Sequence, residues 1–315
     1  MSHLAALETV DDVVARLGLT LRKVLKEDYD NNVYLVDRDG TPRILKMLAD
    51  PKLLPNFRRE IAYTCLLASL AAADESWTLR VSAPVATGEG WMLREVVDGE
   101  PVLDVHGPYD DEAVHRLAAA LADLDRLSPD PASRRPDYRN GAGEPVADEN
   151  DRVAELRRWV EEAVDEGEVE GLTRDEIVDR LGEGRAAVQP GLELWDTKLD
   201  EFIAVDHGKV ALFDLEFAHL FGRRHYDLAK LYASLAVHGT GDRGSGRLLT
   251  AYVAASSLEQ EDVLRAALPV LAETLLAQLY DAVTQPAEGA ADRRRRSGNL
   301  LARALLGDVD ALMRA

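Results

Sequence analysis

The residues best suited to chemistry are three carboxylates and a lysine in one short stretch. Asp196, Lys198 and Glu201 precede two apolar runs separated by the turn Asp206-His207-Gly208, and Asp214 follows the second run. Two such runs predict a β-hairpin, and because paired strands lie about 4.8 Å apart we expect the carboxylates at its two ends to converge. Hard cations take oxygen ligands and a lysine can neutralise phosphate charge, so the pattern predicts a Mg²⁺–polyphosphate site. The alternative is a set of surface carboxylates, which 57 Asp and Glu residues make common.

The same stretch resembles a known family of phosphotransferases. The segment D-T-K-L-D-E, which begins at Asp196, is similar to the protein-kinase catalytic loop D-x-K-x-x-N. F-D-L-E-F, which contains Asp214, is similar to the D-F-G or D-F-E metal-binding turn. Y-D-L-A then places Asp227 13 residues after Asp214, as in the aminoglycoside phosphotransferase and choline kinase branch of the protein-kinase-like fold.

This resemblance implies an enzyme that uses ATP and Mg²⁺ to phosphorylate an alcohol group of a small molecule. It assigns Asp196 to the acceptor hydroxyl and Lys198 to the transferring phosphate. It assigns Glu201 and Asp214 to Mg²⁺, and gives Asp227 and Tyr226 the structural task of bracing the loop.

A lysine in a predicted strand marks the nucleotide side of the site. Lys46 lies in the strand Pro42–Leu48, and R-I-L-K resembles the V-A-I-K of the family, whose lysine contacts the α- and β-phosphates. Glu60, on a helix predicted over Phe57–Leu70, matches the glutamate that pairs with this lysine. Two alternatives stay open, namely that Lys46 lies on an edge strand in water and that Arg58-Arg59 occupies the glutamate. The apolar positions of the helix are Ile61, Cys65, Leu66 and Leu70.

A strand that runs into a polar connector resembles the kinase hinge. Arg94, Glu95 and Val96 precede Asp98-Gly99-Glu100-Pro101, and by position their backbone groups are expected to bind adenine. The loop Lys26–Asn32, between two earlier predicted strands, has no glycine, unlike a protein kinase.

The predicted fold is α+β, a bilobal protein-kinase-like fold. Residues 1–96 form an N-lobe with a small antiparallel sheet and one main helix, and residues 97–315 form a larger, mostly helical C-lobe. Ser128–Asn150, rich in Pro and Gly, is predicted to be a loop. The last helix is expected over Ala291–Arg314, and a break or kink is expected at Pro269.

Composition limits the partners. The formal charge of −20 disfavours nucleic acid and acidic membrane surfaces and would attract a cationic acceptor.

Cys65 is the single cysteine and is expected to be a small core residue. The start of the chain has no basic segment and no apolar run of 18 residues occurs, so a cytoplasmic location is expected. The sequence does not indicate an oligomeric state. The basic cluster Arg293–Arg296 indicates either a solvated helix start or an anion site.

Three positions depart from the resembled family. Leu194 stands where the family has His, Trp195 where it has Arg or Gly, and Glu201 where it has Asn. A carboxylate about 4 Å from phosphate costs about 4 kcal/mol at an effective dielectric of about 20 unless a cation lies between them. Activity should therefore depend steeply on a divalent metal. Leu194, Glu201 and the glycine-free loop leave a second hypothesis, a pseudokinase or nucleotide-binding regulatory module with little or no phosphoryl transfer.

Overall fold

The computed structural model describes residues 7–104, 106–107, 109–127, 149–165, 169–185, 187–239, 244–285 and 288–315. The chain divides into two compact units, Met1–Glu100 with Ile203–Ala218 and Pro101–Phe202 with His219–Ala315. The predicted division at residues 96/97 put the whole segment that contains Asp214 into the C-lobe. The structure packs Ile203–Ala218 with the first unit instead. The loop predicted over Ser128–Asn150 lies outside the described residues up to position 148.

The helices and strands of the described residues follow one another in this order: α1 (Val10–Leu17), β1 (Thr20–Glu27), β2 (Asn31–Arg38), β3 (Thr41–Leu48), α2 (Leu54–Ala73), β4 (Leu79–Arg80), β5 (Ala86–Gly88), β6 (Trp91–Glu95), α3 (Asp111–Asp125), α4 (Glu149–Ala163), α5 (Arg174–Arg185), β7 (Pro190–Glu193), β8 (Phe202–Ala204), β9 (Val210–Leu212), β10 (His219–Arg223), α6 (Tyr226–His238), α7 (Gly244–Ala255), α8 (Gln260–Thr284), α9 (Ala290–Leu306) and α10 (Val309–Met313). The predicted mixture of an N-terminal antiparallel sheet and a helical C-terminal part is confirmed.

The first unit is built on a five-stranded antiparallel sheet in the order β1-β2-β3-β6-β5. Strand β3 therefore lies inside the sheet, where Lys46 is opposite Val33 of β2 and Met92 of β6. The interpretation of Lys46 as an edge-strand lysine in water is wrong, because β3 is paired on both sides and Lys46 is 5% exposed.

The predicted hairpin after residue 201 consists of β8 and β9. Strand β9 also pairs in parallel with β4, with Leu79 opposite Val210. The Lys209 ammonium donates to the Glu75 carbonyl at 2.8 Å and to the Trp77 carbonyl. These contacts over a long sequence distance explain why Ile203–Ala218 belongs to the first unit.

Helix α2 buries a different face from the one its apolar residues indicated. It begins at Leu54, with Pro55 in the first turn, where a missing N–H costs no hydrogen bond. Cys65 is exposed, so the prediction of a core cysteine is wrong. The buried residues at helical spacing include polar ones, namely Phe57, Glu60, Thr64, Leu67 and Ala68. The polar side chains are satisfied inside the unit, since the Thr64 hydroxyl donates to the Glu60 carbonyl at 2.7 Å.

The second unit consists of helices α3 to α10 and the small sheet of β7 and β10. The single helix expected over Ala291–Arg314 is divided at Gly307, whose φ of 71° ends α9. Helix α8 continues through Pro269. By length and composition α8 could cross a membrane, but 67% of that window is buried within the protein, as in the core helix of a helical bundle.

The basic cluster on α9 is largely paired with carboxylates. Arg294 lies 2.6 Å from Asp165, and Arg295 and Arg296 lie 2.5 and 2.7 Å from Asp292. The geometry favours the interpretation of these arginines as part of a solvated helix start.

Candidate active site

A buried ion pair lies at the centre of the first unit. The Lys46 ammonium lies 3.0 and 2.9 Å from the two carboxylate oxygens of Glu60, which is fully buried. Strand β3 directs the lysine toward α2, whose buried face carries the glutamate. The structure thus brings together the two residues that the resemblance pairs, and Arg58 instead contacts Glu89 at 2.6 Å.

Two further carboxylates face the same ammonium. Lys46 Nζ lies 3.4 Å from Glu216 Oε2 and 3.6 Å from Asp214 Oδ1. Glu216 also accepts a hydrogen bond at 2.8 Å from the side-chain amide of Asn31, which is buried at the start of β2. Neither Glu216 nor Asn31 was among the predicted site residues.

This cluster has an excess of negative charge, since one ammonium faces three carboxylates. Burial alone would lower the pKa of Lys46, but Glu60, Asp214 and Glu216 together raise it above its ordinary value. Burial raises the pKa of Glu60 and of Glu216, and neighbouring Asp214 raises both further. An additional cation would therefore be stabilised here.

The donor set fits a hard divalent cation. Glu60, Asp214 and Glu216 each offer an oxygen, and these atoms lie within 4.8 Å of one another. All-oxygen ligands are those that Mg²⁺ takes, usually one or two carboxylates together with substrate phosphates. Asp214, with a side chain 43% exposed, and Glu216 at 17% are the accessible members of the set.

The residues expected at the hinge lie at the end of β6. The Arg94 guanidinium donates to the Phe213 carbonyl at 2.9 Å and so supports the chain immediately before Asp214. The Glu95 carboxylate lies 3.8 Å from Arg80 and accepts from Ser82 at 3.3 Å. Val96 is half-buried just after the strand. Adenine binding by the backbone of these three residues stays a prediction.

In the second unit, two lysines hold the carboxylate of Asp196. Lys198 Nζ lies 2.7 Å from Oδ2, and Lys230 Nζ, from α6, lies 3.2 Å from Oδ1. Partial burial would raise the pKa of Asp196, but the two ammonium groups hold it below its usual range. Asp196 is therefore ionised at neutral pH and able to accept a hydrogen bond from a hydroxyl group.

Asp227 braces the loop that carries Asp196, which is the role that the resemblance implied for it. The buried Asp227 carboxylate accepts from the Leu194 amide at 3.2 and 3.1 Å and from the Thr197 hydroxyl. Burial raises the pKa of Asp227 to about 7, against the lowering effect of the Thr197 hydrogen bond. Leu194 itself is buried and apolar, so its side chain adds no hydrogen bond.

Trp195 has a left-handed backbone conformation, with φ at 68°. Its ring stacks on Tyr226, with centroids 5.9 Å apart and planes inclined by 11°. The guanidinium of Arg223 lies 4.1 Å from the Tyr226 centroid and is itself buried between Glu193 at 2.7 Å and Glu273 at 3.1 Å. These packed and paired groups fix the wall beside Asp196.

Glu201 follows the Asp196 loop and contacts Lys198. Its carboxylate accepts from the Lys198 amide at 3.1 Å and lies 3.9 Å from Lys198 Nζ. The structure assigns Glu201 to the second unit and Asp214 to the first. A shared metal site for the two therefore stays a prediction.

Asp196 lines a cavity of about 390 Å³ within the second unit. Two stacked aromatic pairs contribute to its walls, Trp195 with Tyr226 and Trp159 with Tyr280. Its charged lining residues are Glu155, Asp196, Glu273, Asp281, Arg158, Arg223 and Lys230. A volume of this size is typical of a small-molecule site.

Sequence comparison identifies one family. The model of the phosphotransferase enzyme family matches residues 22–269, which includes Lys46, Asp196 and Asp214. A search of curated protein sequences found no match.

Several solved structures share the fold. An aminoglycoside phosphotransferase from Alicyclobacillus acidocaldarius aligns with a TM-score of 0.58 at 16% identity, over 98% of this chain and 96% of that one. APH(2")-IIa, solved with streptomycin and ATP, aligns with a TM-score of 0.57 at 12% identity, over 100% and 98%. An ethanolamine kinase from Plasmodium vivax aligns with a TM-score of 0.50 at 11% identity, over 94% and 82%. At these identities the likeness establishes the fold, which is protein-kinase-like.

Proposed function

Because the chain belongs to the phosphotransferase enzyme family, whose model spans most of its length, we propose that it transfers the γ-phosphate of Mg·ATP to a hydroxyl group of a small molecule. The observation that carries the proposal is that this chain contains two chemically distinct centres. One is the Lys46 cluster, with its excess of carboxylates, and the other is the ionised Asp196 in the lining of a cavity. Solved relatives with ATP, ADP or an ATP analogue bound support nucleotide use.

The nucleotide and its metal are assigned to the first unit. Lys46, held by Glu60, would contact the α- and β-phosphates, and Asp214 with Glu216 would hold Mg²⁺. The metal would neutralise charge on the phosphates during transfer. Arg94, Glu95 and Val96 would present backbone groups to adenine.

The acceptor is assigned to the cavity at Asp196. In the reaction the acceptor oxygen forms a bond to the γ-phosphorus while the bond between that phosphorus and the β–γ bridging oxygen breaks, and ADP leaves. The hydroxyl proton passes to the Asp196 carboxylate and then to solvent. Lys198, 2.7 Å from Asp196, would stabilise charge on the transferring phosphate.

The cavity bears on the charge of the acceptor. Its lining has four acidic and three basic residues, so the charge of −20 on the whole chain is not concentrated there. Arg158 and Arg223 already lie over the faces of Tyr280 and Tyr226. We therefore propose an acceptor with hydroxyl groups and a ring or other apolar face, for which a positive charge gives only a modest preference. The reaction is proposed for the cytoplasm.

One observation favours the second hypothesis, a pseudokinase. The Lys198 ammonium lies within 2.7 Å of Asp196 and 3.9 Å of Glu201, so two carboxylates compete with a phosphate for it. A protein of this kind would bind Mg·ATP and release no ADP.

The experiment is a screen for acceptor-dependent ADP release with Mg·ATP. The panel should contain neutral glycosides, amino-alcohols and aminoglycosides, and Asp214→Asn protein serves as the matched control. Release that depends on one class of acceptor and is lost in the control supports the proposal. Binding of Mg·ATP with no release for any acceptor would favour the pseudokinase.

A further inference from the structure

Lys230 contacts two parts of the Asp196 loop at once. Its ammonium donates to the Trp195 carbonyl at 2.6 Å and lies 3.2 Å from Asp196 Oδ1. The lysine side chain is 23% exposed, so water competes less for its ammonium than at an open surface.

Helix α6 brings complementary groups to this loop. Asp227 and Lys230 are three residues apart and so lie on the same side of the helix. Asp227 accepts from the Leu194 amide and the Thr197 hydroxyl, while Lys230 donates to the Trp195 carbonyl. One turn of α6 thus gives the loop both a hydrogen-bond acceptor, the Asp227 carboxylate, and a hydrogen-bond donor, the Lys230 ammonium.

The loop has a specific need for such support. A bulky residue with positive φ is strained, and this conformation persists only where surrounding contacts impose it. Trp195 adopts φ of 68° directly before Asp196, and the apolar Leu194 side chain offers no polar contact.

We infer that Lys230 is a positioning residue for Asp196, which holds the left-handed Trp195 peptide and fixes the direction of the carboxylate. With Lys198 on Oδ2 and Lys230 on Oδ1, rotation of the carboxylate is restricted from both sides. Only the catalytic role of this carboxylate orientation rests on the proposed function. The contact itself can be tested on the protein without nucleotide.

The first test measures the titration of Asp196 by NMR of protein labelled with ¹³C at aspartate carboxyl groups. The resonance is assigned by its loss in Asp196→Asn protein. Removal of the ammonium in Lys230→Met should raise the pKa of Asp196, because a neighbouring positive charge that favours the carboxylate is lost, and Lys230→Arg should lower it again. The charged groups that face Asp196 or line the same cavity, unchanged in all variants, are Lys198, Glu155, Arg158, Arg223, Glu273 and Asp281. An unchanged titration in Lys230→Met would overturn the inference.

The second test separates positioning from general stability by the kinetics of ADP release with Mg·ATP and the best acceptor from the screen. Lys230→Met should lower kcat about 10- to 100-fold, the loss expected for one hydrogen bond to a charged group, with little change in KM for ATP. In a Trp195→Gly background, Lys230→Met should lower kcat clearly less, because glycine adopts positive φ without strain. The exposed Lys52→Met is the matched control. Equal losses in both backgrounds would refute the role in holding Trp195.

The two tests also distinguish failure of the inference from failure of the proposed function. A wild-type protein that hydrolyses no ATP and phosphorylates no acceptor would remove the phosphotransferase proposal. The NMR titration would still decide whether Lys230 controls Asp196.

Discussion

Replacing Lys46 with methionine removes an ammonium that faces three carboxylates in the first unit. The ammonium lies 2.9 Å from Glu60, 3.4 Å from Glu216 and 3.6 Å from Asp214. At an effective dielectric of about 20, each of these distances corresponds to about 5 kcal/mol of Coulomb attraction. Relief of the desolvation of the lysine offsets much of this sum, and Asp214 is partly exposed. Removing one partner of a buried ion pair typically costs about 3–5 kcal/mol.

We therefore expect Lys46→Met to lower the free energy of unfolding by about 3–5 kcal/mol, as measured by urea denaturation without nucleotide. Lys46→Met with Glu60→Gln should lose clearly less than the sum of the two single changes, since the pair shares one interaction. The control Lys52→Met, at an exposed lysine, should stay within about 0.5 kcal/mol of wild type.

The same variant makes a prediction about Mg²⁺. With Lys46 absent, three carboxylates lose the ammonium that they share, so Mg²⁺ alone should stabilise Lys46→Met more than it stabilises wild type. A loss of stability below about 1 kcal/mol in Lys46→Met would refute the assignment of Lys46 to a buried cluster. An equal response of both proteins to Mg²⁺ would refute the cluster as a cation site.

Three further predictions concern single carboxylates. Asp227 binds its proton more tightly when folded, with a pKa of about 7 against about 3.9 unfolded, so its contribution to stability falls as pH rises through that range. Between pH 4 and pH 8 the free energy of unfolding, measured by denaturation, should fall less in Asp227→Asn than in wild type. An unchanged dependence of that free energy on pH would contradict the prediction. Mg·ATP at about 100 times its Kd should stabilise wild type by about 2.7 kcal/mol in a thermal-shift assay and stabilise Asp214→Asn much less; an equal shift in both would remove Asp214 from the metal site. Glu201→Asn should keep activity but change the preference between Mg²⁺ and Mn²⁺ if Glu201 binds the metal, and an unchanged preference would exclude that role.

The sequence predicted the parts of the site that belong to local patterns. Lys46 lies in a strand whose apolar neighbours are visible in the sequence, and Glu60 is one helix later. Asp196 and Asp227 follow motifs with fixed spacing, and the bracing contact of Asp227 was predicted with them. In each case the residue type and a few neighbours specify the position.

Other parts depend on contacts that no local pattern contains. The return of Ile203–Ala218 to the first unit depends on β9 pairing with β4, over more than 100 residues of sequence. The buried face of α2 includes Glu60 and Thr64, so apolar spacing alone indicated the wrong face and a buried Cys65. A lysine on a helix, such as Lys230, carries no sign that its ammonium reaches a loop some 35 residues earlier. Glu216, two residues after Asp214, was visible in F-D-L-E-F but was not assigned a role.

The most direct test of the central claim compares wild type with Asp196→Asn in two assays, affinity for Mg·ATP and release of ADP with the best acceptor from the screen. An interaction made in the transition state raises kcat without contributing to ground-state binding. We predict that Asp196→Asn binds Mg·ATP within about 3-fold of wild type and releases ADP at least about 100-fold more slowly. An Asp196→Asn protein that turns over like wild type would contradict the account.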